Sequence, residues 1–409
     1  MLDDDILRRN RRDVLTAGSA LGLAALAGCV GTTDDDDGYT IGMVDSLTGS
    51  LADFGERNQN AVEIALEHVN EVGVKGEELD IIIEDSESES QPGLSAAQKL
   101  VEQDNVPFLI GAVGSGVSMA IYDSVISGTD VVQLSQSSTG VNLTDEPGLL
   151  RMSPSGQTQS IALAEIIEED GYDEVAVTSI NDDFGDSLYD AFEEAYEGEI
   201  VYDNVHDSDE SSYNSLISSM DSSGADAWLF ITYQSEFTTM VNDMDSGGYG
   251  DDVQLYGADS NRGDSVLEGT PEGSMDGMKL VEPGVPEDQD NYLDFAEAFE
   301  AEHGEAPTSW SAFAYDCVVT AALSIEAADE FTGAALGDVV RDVTRPEGQE
   351  VFTYEEAHEI LEDGGTADDI DYQGVSGPID FDENGDPRGT LMVLEVQDHD
   401  YVSLGLRES

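Results

Sequence analysis

The chain has 409 residues, 90 of them acidic and only 14 basic, giving a formal net charge of −76. No basic stripe exists to neutralise phosphates, so nucleic acid is not an expected partner, and acids spread through a chain that is 39 % hydrophobic describe neither an acidic tail nor a disordered segment. In dilute buffer such a surface repels itself, whereas at molar salt the Debye length falls to about 3 Å, so the composition reads as adaptation to concentrated salt.

The first 29 residues follow the plan of a signal peptide: Arg8, Arg9, Arg11 and Arg12, then an apolar stretch from Ala17 to Ala27, then small residues. That stretch is too short to span a bilayer. Arg11-Arg12-Asp13-Val14-Leu15 resembles the twin-arginine export motif, and Leu26-Ala27-Gly28-Cys29 resembles a lipobox, whose cysteine becomes the lipidated first residue after cleavage. The expectation is a leader over residues 1–28, a lipid on Cys29, and an acidic tether over 29–38 that contains four consecutive aspartates. One acyl group anchors a protein only marginally, so a diacyl or diether modification is expected. A buried first helix is the competing reading, but paired arginines ahead of an Ala/Gly/Leu run serve no core. Removing the leader takes away four residues of each sign and leaves the charge unchanged.

The remaining length is too great for one ordinary core, and two lobes are expected. From Tyr39 onward short apolar runs alternate with helical patterns, as in parallel-sheet α/β units. The periodicity predicts strands over 40–44, 79–84, 107–111 and 131–134, with helices over 56–72, 94–102 and 117–126 between them. A second series of similar plan begins at Gln157. It has helices over 161–169, 187–196, 213–220 and 237–244, and strands over 175–179, 200–202, 227–232 and 253–256. After a strand over 278–281 the pattern is mainly helical, clearest over 292–303 and 311–328, and residues 351–366 read as a surface helix and loop. Two doubly wound parallel sheets in tandem are the expected fold class. With Cys29 assigned to lipid, Cys317 stands alone in an apolar helix as a small buried hydrophobe, and no internal disulfide can form.

In such sheets ligands bind beyond the carboxyl ends of the strands. Three loops there carry distinctive chemistry. Gly111-Ala112-Val113-Gly114-Ser115-Gly116 follows a strand and offers backbone N–H groups and a hydroxyl to an anion. Ser135-Gln136-Ser137-Ser138-Thr139 follows the next strand with more hydroxyls, and Asp259 places a carboxylate after a strand of the second series. Together these groups suit a zwitterion, with hydroxyls and amides for a carboxylate and Asp259 for an ammonium. The alternative is that Gly/Ser loops merely turn the chain.

The order of these segments resembles the type I periplasmic binding proteins of the branched-chain amino acid and amide transport class, in a halophilic archaeal lipoprotein form. The resemblance runs from about Tyr39 to Leu404. Ser46-Leu47-Thr48-Gly49-Ser50-Leu51-Ala52-Asp53-Phe54-Gly55 is similar to the family's first loop and Asn60-Ala61-Val62-Glu63-Ile64-Ala65 to its first helix. Asn181-Asp182-Asp183-Phe184-Gly185 is similar to its second-lobe loop, and Gly377-Pro378-Ile379-Asp380-Phe381-Asp382-Glu383-Asn384-Gly385-Asp386 to its late turn. The resemblance implies that Ser115 and Thr139 hold a ligand carboxylate with hydroxyls while Ser137 offers backbone. It implies that Asp259 takes the ammonium and that Phe54, Phe184 and Tyr233 line the cleft. Many relatives have tyrosine where this chain has Phe184, which removes one possible polar contact to the ligand.

The resemblance also implies lobe 1 over residues 39–157 and 283–389, and lobe 2 over 158–282 and 390–409, joined by three crossings that form a hinge. The implied function is capture of a branched-chain or other amino acid by a monomer tethered through lipid at the outer face of the cell membrane, and delivery to the permease and ATPase subunits of an ABC importer. Amide or urea binding, or presentation of ligand to a receptor, are the alternatives. No cofactor or metal is expected. An enzyme is the rival class, but none of the five histidines, His68, His206, His303, His358 and His399, falls in the strand-end loops named above. Gly116-Val117-Ser118-Met119-Ala120 lacks the last glycine of a nucleophile elbow. Asp380-Phe381-Asp382-Glu383-Asn384-Gly385 imitates a calcium loop, but its twelfth position is Leu391 and flanking helices are lacking, so a plain turn is expected.

Overall fold

The computed structural model describes residues 38–146, 148–208, 210–250 and 253–408. The leader, Cys29 and all but the last residue of the acidic tether lie outside the described residues.

Strands β1 (Tyr39–Asp45), β2 (Leu79–Asp85), β3 (Phe108–Gly111), β4 (Val132–Ser135) and β5 (Leu149–Arg151) make a five-stranded sheet in the order β2-β1-β3-β4-β5. Every pairing in it is parallel. Such a sheet must be covered on both faces. Ile41, Met43, Phe108 and Ile110 pack on one side, and Val44, Leu100, Leu109 and Ile121 on the other. β5 was not expected from the sequence, because three residues carry no readable period.

The second sheet uses β6 (Glu174–Ile180), β7 (Glu199–His206), β8 (Ala227–Ile231), β9 (Gln254–Gly257) and β10 (Lys279–Gly284). A short parallel ladder of β11 (Gln349–Val351) and β12 (Ile370–Tyr372) stands apart. β13 (Thr390–Gln397) and β14 (Asp400–Glu408) then complete the second sheet, whose order is β14-β13-β10-β9-β8-β6-β7. Two strands of this otherwise parallel sheet were not read from the sequence: β13 runs antiparallel to β10, and β14 antiparallel to β13. The cause is local. Gln397 pairs with Asp400, so only Asp398 and His399 turn the chain, both at positive φ. A two-residue turn of that kind joins antiparallel neighbours, whereas parallel neighbours need a crossover.

The chain therefore leaves the first sheet after β5, leaves the second after β10, and re-enters the second at β13. Between the last two passages, the helix Ser309–Ala327 is buried on nearly all sides. Such a helix belongs in a core rather than on a surface. It packs along the helix Ala52–Val72 and closes one face of the five-stranded sheet.

Candidate functional site

Loops at the carboxyl ends of β3 and β4 face loops at the carboxyl ends of β6, β8 and β9. They line a small cavity of about 20 Å³, little more than the space one water molecule needs. Ser115, Ser137, Thr139 and Phe54 line it from the first sheet's side, and Phe184, Tyr233 and Asp259 from the second's. The structure thus brings all seven residues singled out in the sequence to one cavity. Leu51, Val113, Gly114, Ser260 and Trp310 complete the lining.

The serine-rich loop divides its labour. Ser135 Oγ donates to the Ala112 carbonyl at 2.7 Å, and Ser138 Oγ meets Ser118 Oγ at 2.8 Å, so these hydroxyls lock the two loops of the first sheet together. Ser137 and Thr139 turn to the cavity instead. Ser137 is buried, and among the described residues its hydroxyl has no partner. A buried hydroxyl without a partner carries a desolvation cost that a ligand can relieve. Beside the backbone contact that the resemblance implies at Ser137, its hydroxyl is free to bind. Ser115 Oγ accepts the Gly140 N–H at 3.0 Å, which leaves its own proton available to an acceptor in the cavity.

Opposite these hydroxyls sits Asp259, which is 2 % exposed. It accepts Thr139 Oγ1 at 3.0 Å and the Ser260 N–H at 2.9 Å, and among the described residues no basic side chain pairs with it. Burial pushes its carboxyl up to about 6, against the pull of hydrogen bonds from Gln159, Thr139 and Ser260. Its loop is held from behind, where Ser260 Oγ and Asn261 Nδ2 donate to the Thr232 carbonyl at 2.8 and 2.7 Å.

The aromatic wall is likewise positioned. Asp182 caps the helix Asp183–Ala195 through the Gly185 N–H at 2.9 Å and accepts the Tyr233 hydroxyl at 2.5 Å. Burial raises Asp182 to about 6. Phe184 stacks on Tyr233 with ring centroids 5.3 Å apart, and Phe54 meets Trp310 edge-on at 5.4 Å. Trp310 was missed in the sequence because it opens a helix whose pattern reads as core throughout. Its one available signal is Thr308 immediately ahead, which caps that helix and turns its first residues toward the loops.

Among the described residues no histidine or cysteine lines this cavity. Ser118 is buried and committed to Ala112 and Ser138. His206 lies between Thr178 and Thr232 at 2.9 and 2.8 Å, and burial lowers its pKa to about 4. Cys317 is buried, which raises its thiol well above the usual range. Among the described residues no cluster of His, Cys, Asp and Glu has the arrangement of a metal site. In the late turn Asp382 Oδ1 accepts the N–H groups of Asn384 and Asp386 at 2.8 and 3.0 Å.

A sequence profile described as "Periplasmic binding protein" matches residues 38–400. Leu/Ile/Val-binding protein homolog 3 of Brucella melitensis is 29 % identical over 238 residues, covering 56 % of this chain and 63 % of that one. The alignments with the first two curated relatives span 63 % and 55 % of their lengths, less than two thirds in each case. Among solved structures, a leucine binding protein from Thermotoga maritima superposes with a TM-score of 0.77 at 20 % identity, covering 90 % of this chain and 99 % of its own. A branched-chain amino acid transporter substrate binding protein from Streptococcus pneumoniae, in complex with isoleucine, gives 0.76 at 20 % identity, covering 91 % and 99 %. At that identity these two structures speak to fold.

Proposed function

The chain belongs to the periplasmic binding protein family, and from that membership we propose that it captures a small amino acid, branched-chain or of similar size, between its two lobes for delivery to an ABC permease. The observation that carries this reading is Asp259. A wholly buried carboxylate without a cation is costly, and an ammonium from the solute supplies the missing charge. The hydroxyls of Ser115 and Ser137 stand opposite, suited to the solute carboxylate, while Phe54, Phe184, Tyr233 and Trp310 offer apolar walls to its side chain. The names of the relatives above point the same way.

Binding energy that bridges both sets of loops selects the closed arrangement of the lobes, and closure is what a permease reads. On this proposal the leader and the lipid on Cys29 keep the protein at the outer face of the membrane, beside its permease, in concentrated salt. On this proposal the lobes are divided near residues 157, 283 and 389. The test is calorimetry at molar salt with leucine, isoleucine, valine, alanine, acetamide and urea. Tight binding of an amino acid supports the proposal. Binding of acetamide or urea alone replaces it with the amide reading, and silence across the panel removes it.

A further inference from the structure

Arg151 ends β5, and its side chain is wholly buried although it carries a full charge. It lies immediately before the chain first leaves the five-stranded sheet. Its guanidinium reaches three residues on two segments. Nε and Nη2 donate to the two carboxylate oxygens of Asp386 at 2.6 and 3.0 Å, Nη2 also donates to Thr144 Oγ1 at 2.6 Å, and Nη1 donates to the Gly140 carbonyl at 2.6 Å. The Thr144 hydroxyl in turn donates to Asp386 at 2.7 Å.

Each end of this network leads somewhere specific. Asp386 stands four residues ahead of β13, where the chain re-enters the second sheet. The late turn presents it: Gly385 adopts φ +87°, and its carbonyl accepts the Arg151 N–H at 3.1 Å. Gly140, at the other end, follows Thr139 and gives its N–H to Ser115 Oγ. One residue is therefore gripped at its N–H by a cavity hydroxyl and at its carbonyl by Arg151.

We infer that the Arg151–Asp386 pair is a positioning unit for solute capture, fixing Gly140, and through it Ser115 and Thr139, from the strands that join the two lobes. The inference rests on the reading of this cavity as the solute site. A planar guanidinium holds a carboxylate with two bonds while a third N–H points elsewhere at a fixed angle, which an ammonium cannot reproduce. Stability alone does not call for such a group, since buried ion pairs are commonly replaced by apolar residues without loss. Holding two crossings and the hydroxyl loop in one geometry does call for it.

The test measures binding of the same six solutes at molar salt to wild type, Arg151→Lys, Asp386→Asn and Thr144→Val. Asp316→Asn serves as control. Asp316 is equally buried and anchors the segment 372–376 through Tyr372, Val375 and Ser376 without reaching the cavity. The expected result is that Arg151→Lys and Asp386→Asn bind about tenfold or more weakly, as when one hydrogen-bonded network is broken. The solute-induced change in Trp310 emission should shift with them, while the control melts earlier but binds as wild type does. Should Arg151→Lys fail to fold, Asp386→Asn and Thr144→Val carry the test. Affinities equal to wild type in the folded variants, or an equal loss in the control, overturn the inference. A wild-type protein that binds none of the six overturns the reading of the cavity, and the inference with it.

Discussion

Thr139 Oγ1 donates to Asp259 Oδ2 at 3.0 Å, joining the loop after β4 to the loop after β9 across 120 positions of sequence. Among the described residues this hydroxyl is the one side-chain donor from the first sheet's loops that reaches the carboxylate. An arriving ammonium competes with it or shares the second oxygen. Replacing Asp259 by Ala should weaken amino-acid binding by about 2 to 5 kcal/mol, the cost of leaving a buried charge unpaired. Calorimetry at high salt with unchanged affinity would remove Asp259 from the site. Asp259→Asn should also lose affinity yet raise the stability of the free protein, by on the order of 2 kcal/mol, because it deletes a desolvated carboxylate. Differential scanning calorimetry without solute reads that second effect.

The acidic groups fix the sign of the pH dependence. Burial raises Asp45 to about 7, and Asp182, Asp259 and Asp316 to about 6, all from 3.8. The folded chain thus holds more protons than the unfolded one between about pH 4 and 7, so these groups make the free protein less stable as pH rises through that window. His206, lowered from 6.5 to about 4, acts in the opposite direction between those values, one group against four. At fixed molar salt the melting temperature should therefore rise as pH falls from about 7.5 to 5. Amino-acid affinity should fall over the same interval, because Asp259 must be ionised to meet an ammonium. Parallel trends in the two measurements would contradict this account.

Gly140 tests the hydroxyl wall by bulk alone. Its φ of −47° suits any residue, but an added Cβ would stand 2.9 Å from Ser115 Cβ and 3.0 Å from Ser115 Oγ. Gly140→Ala should push Ser115 off its present position, costing about 1 to 3 kcal/mol as overpacking does, and should weaken solute binding. A variant with native affinity would show that Ser115 does not contact the solute.

Salt dependence follows from the charge of −76. Dialysis from molar salt into dilute buffer should unfold the protein through unscreened repulsion. Circular dichroism would follow this, and a cooperative melt at the same temperature in both buffers would refute it. Mass spectrometry of the membrane-derived protein should find lipid on Cys29, and an unmodified thiol there would end the tether proposal.

Much of the site was legible because its residues sit where strand ends meet loops, and strand ends announce themselves as apolar runs closed by Gly, Ser or Asp. Ser115, Thr139 and Asp259 could each be placed that way. Their meeting could not be read from spacing, since Asp259 is brought to Thr139 by the packing of two sheets. Trp310 was hidden because a buried helix has no polar face to mark where its first residue points. β13 and β14 were missed because Asp398-His399 lacks the glycine that usually signals a two-residue hairpin, although both residues take positive φ. Arg151 was equally silent, since a lone arginine after Leu149-Leu150 gives no hint that its partner lies in the late turn at Asp386.

The helix Ser309–Ala327 has a bearing on how the chain comes to be folded at all. It completes one face of a sheet whose first strand begins at Tyr39, so that face stays incompletely covered until some three hundred residues have been made. Contacts of such wide separation in sequence form slowly, after the entropy of closing a long loop has been overcome. During that wait Ile41, Met43, Phe108 and Ile110 present an apolar face to any neighbour. The first lobe is thus the earliest part of the chain to be synthesised and among the last to be finished, and a fragment ending before the helix is expected to aggregate.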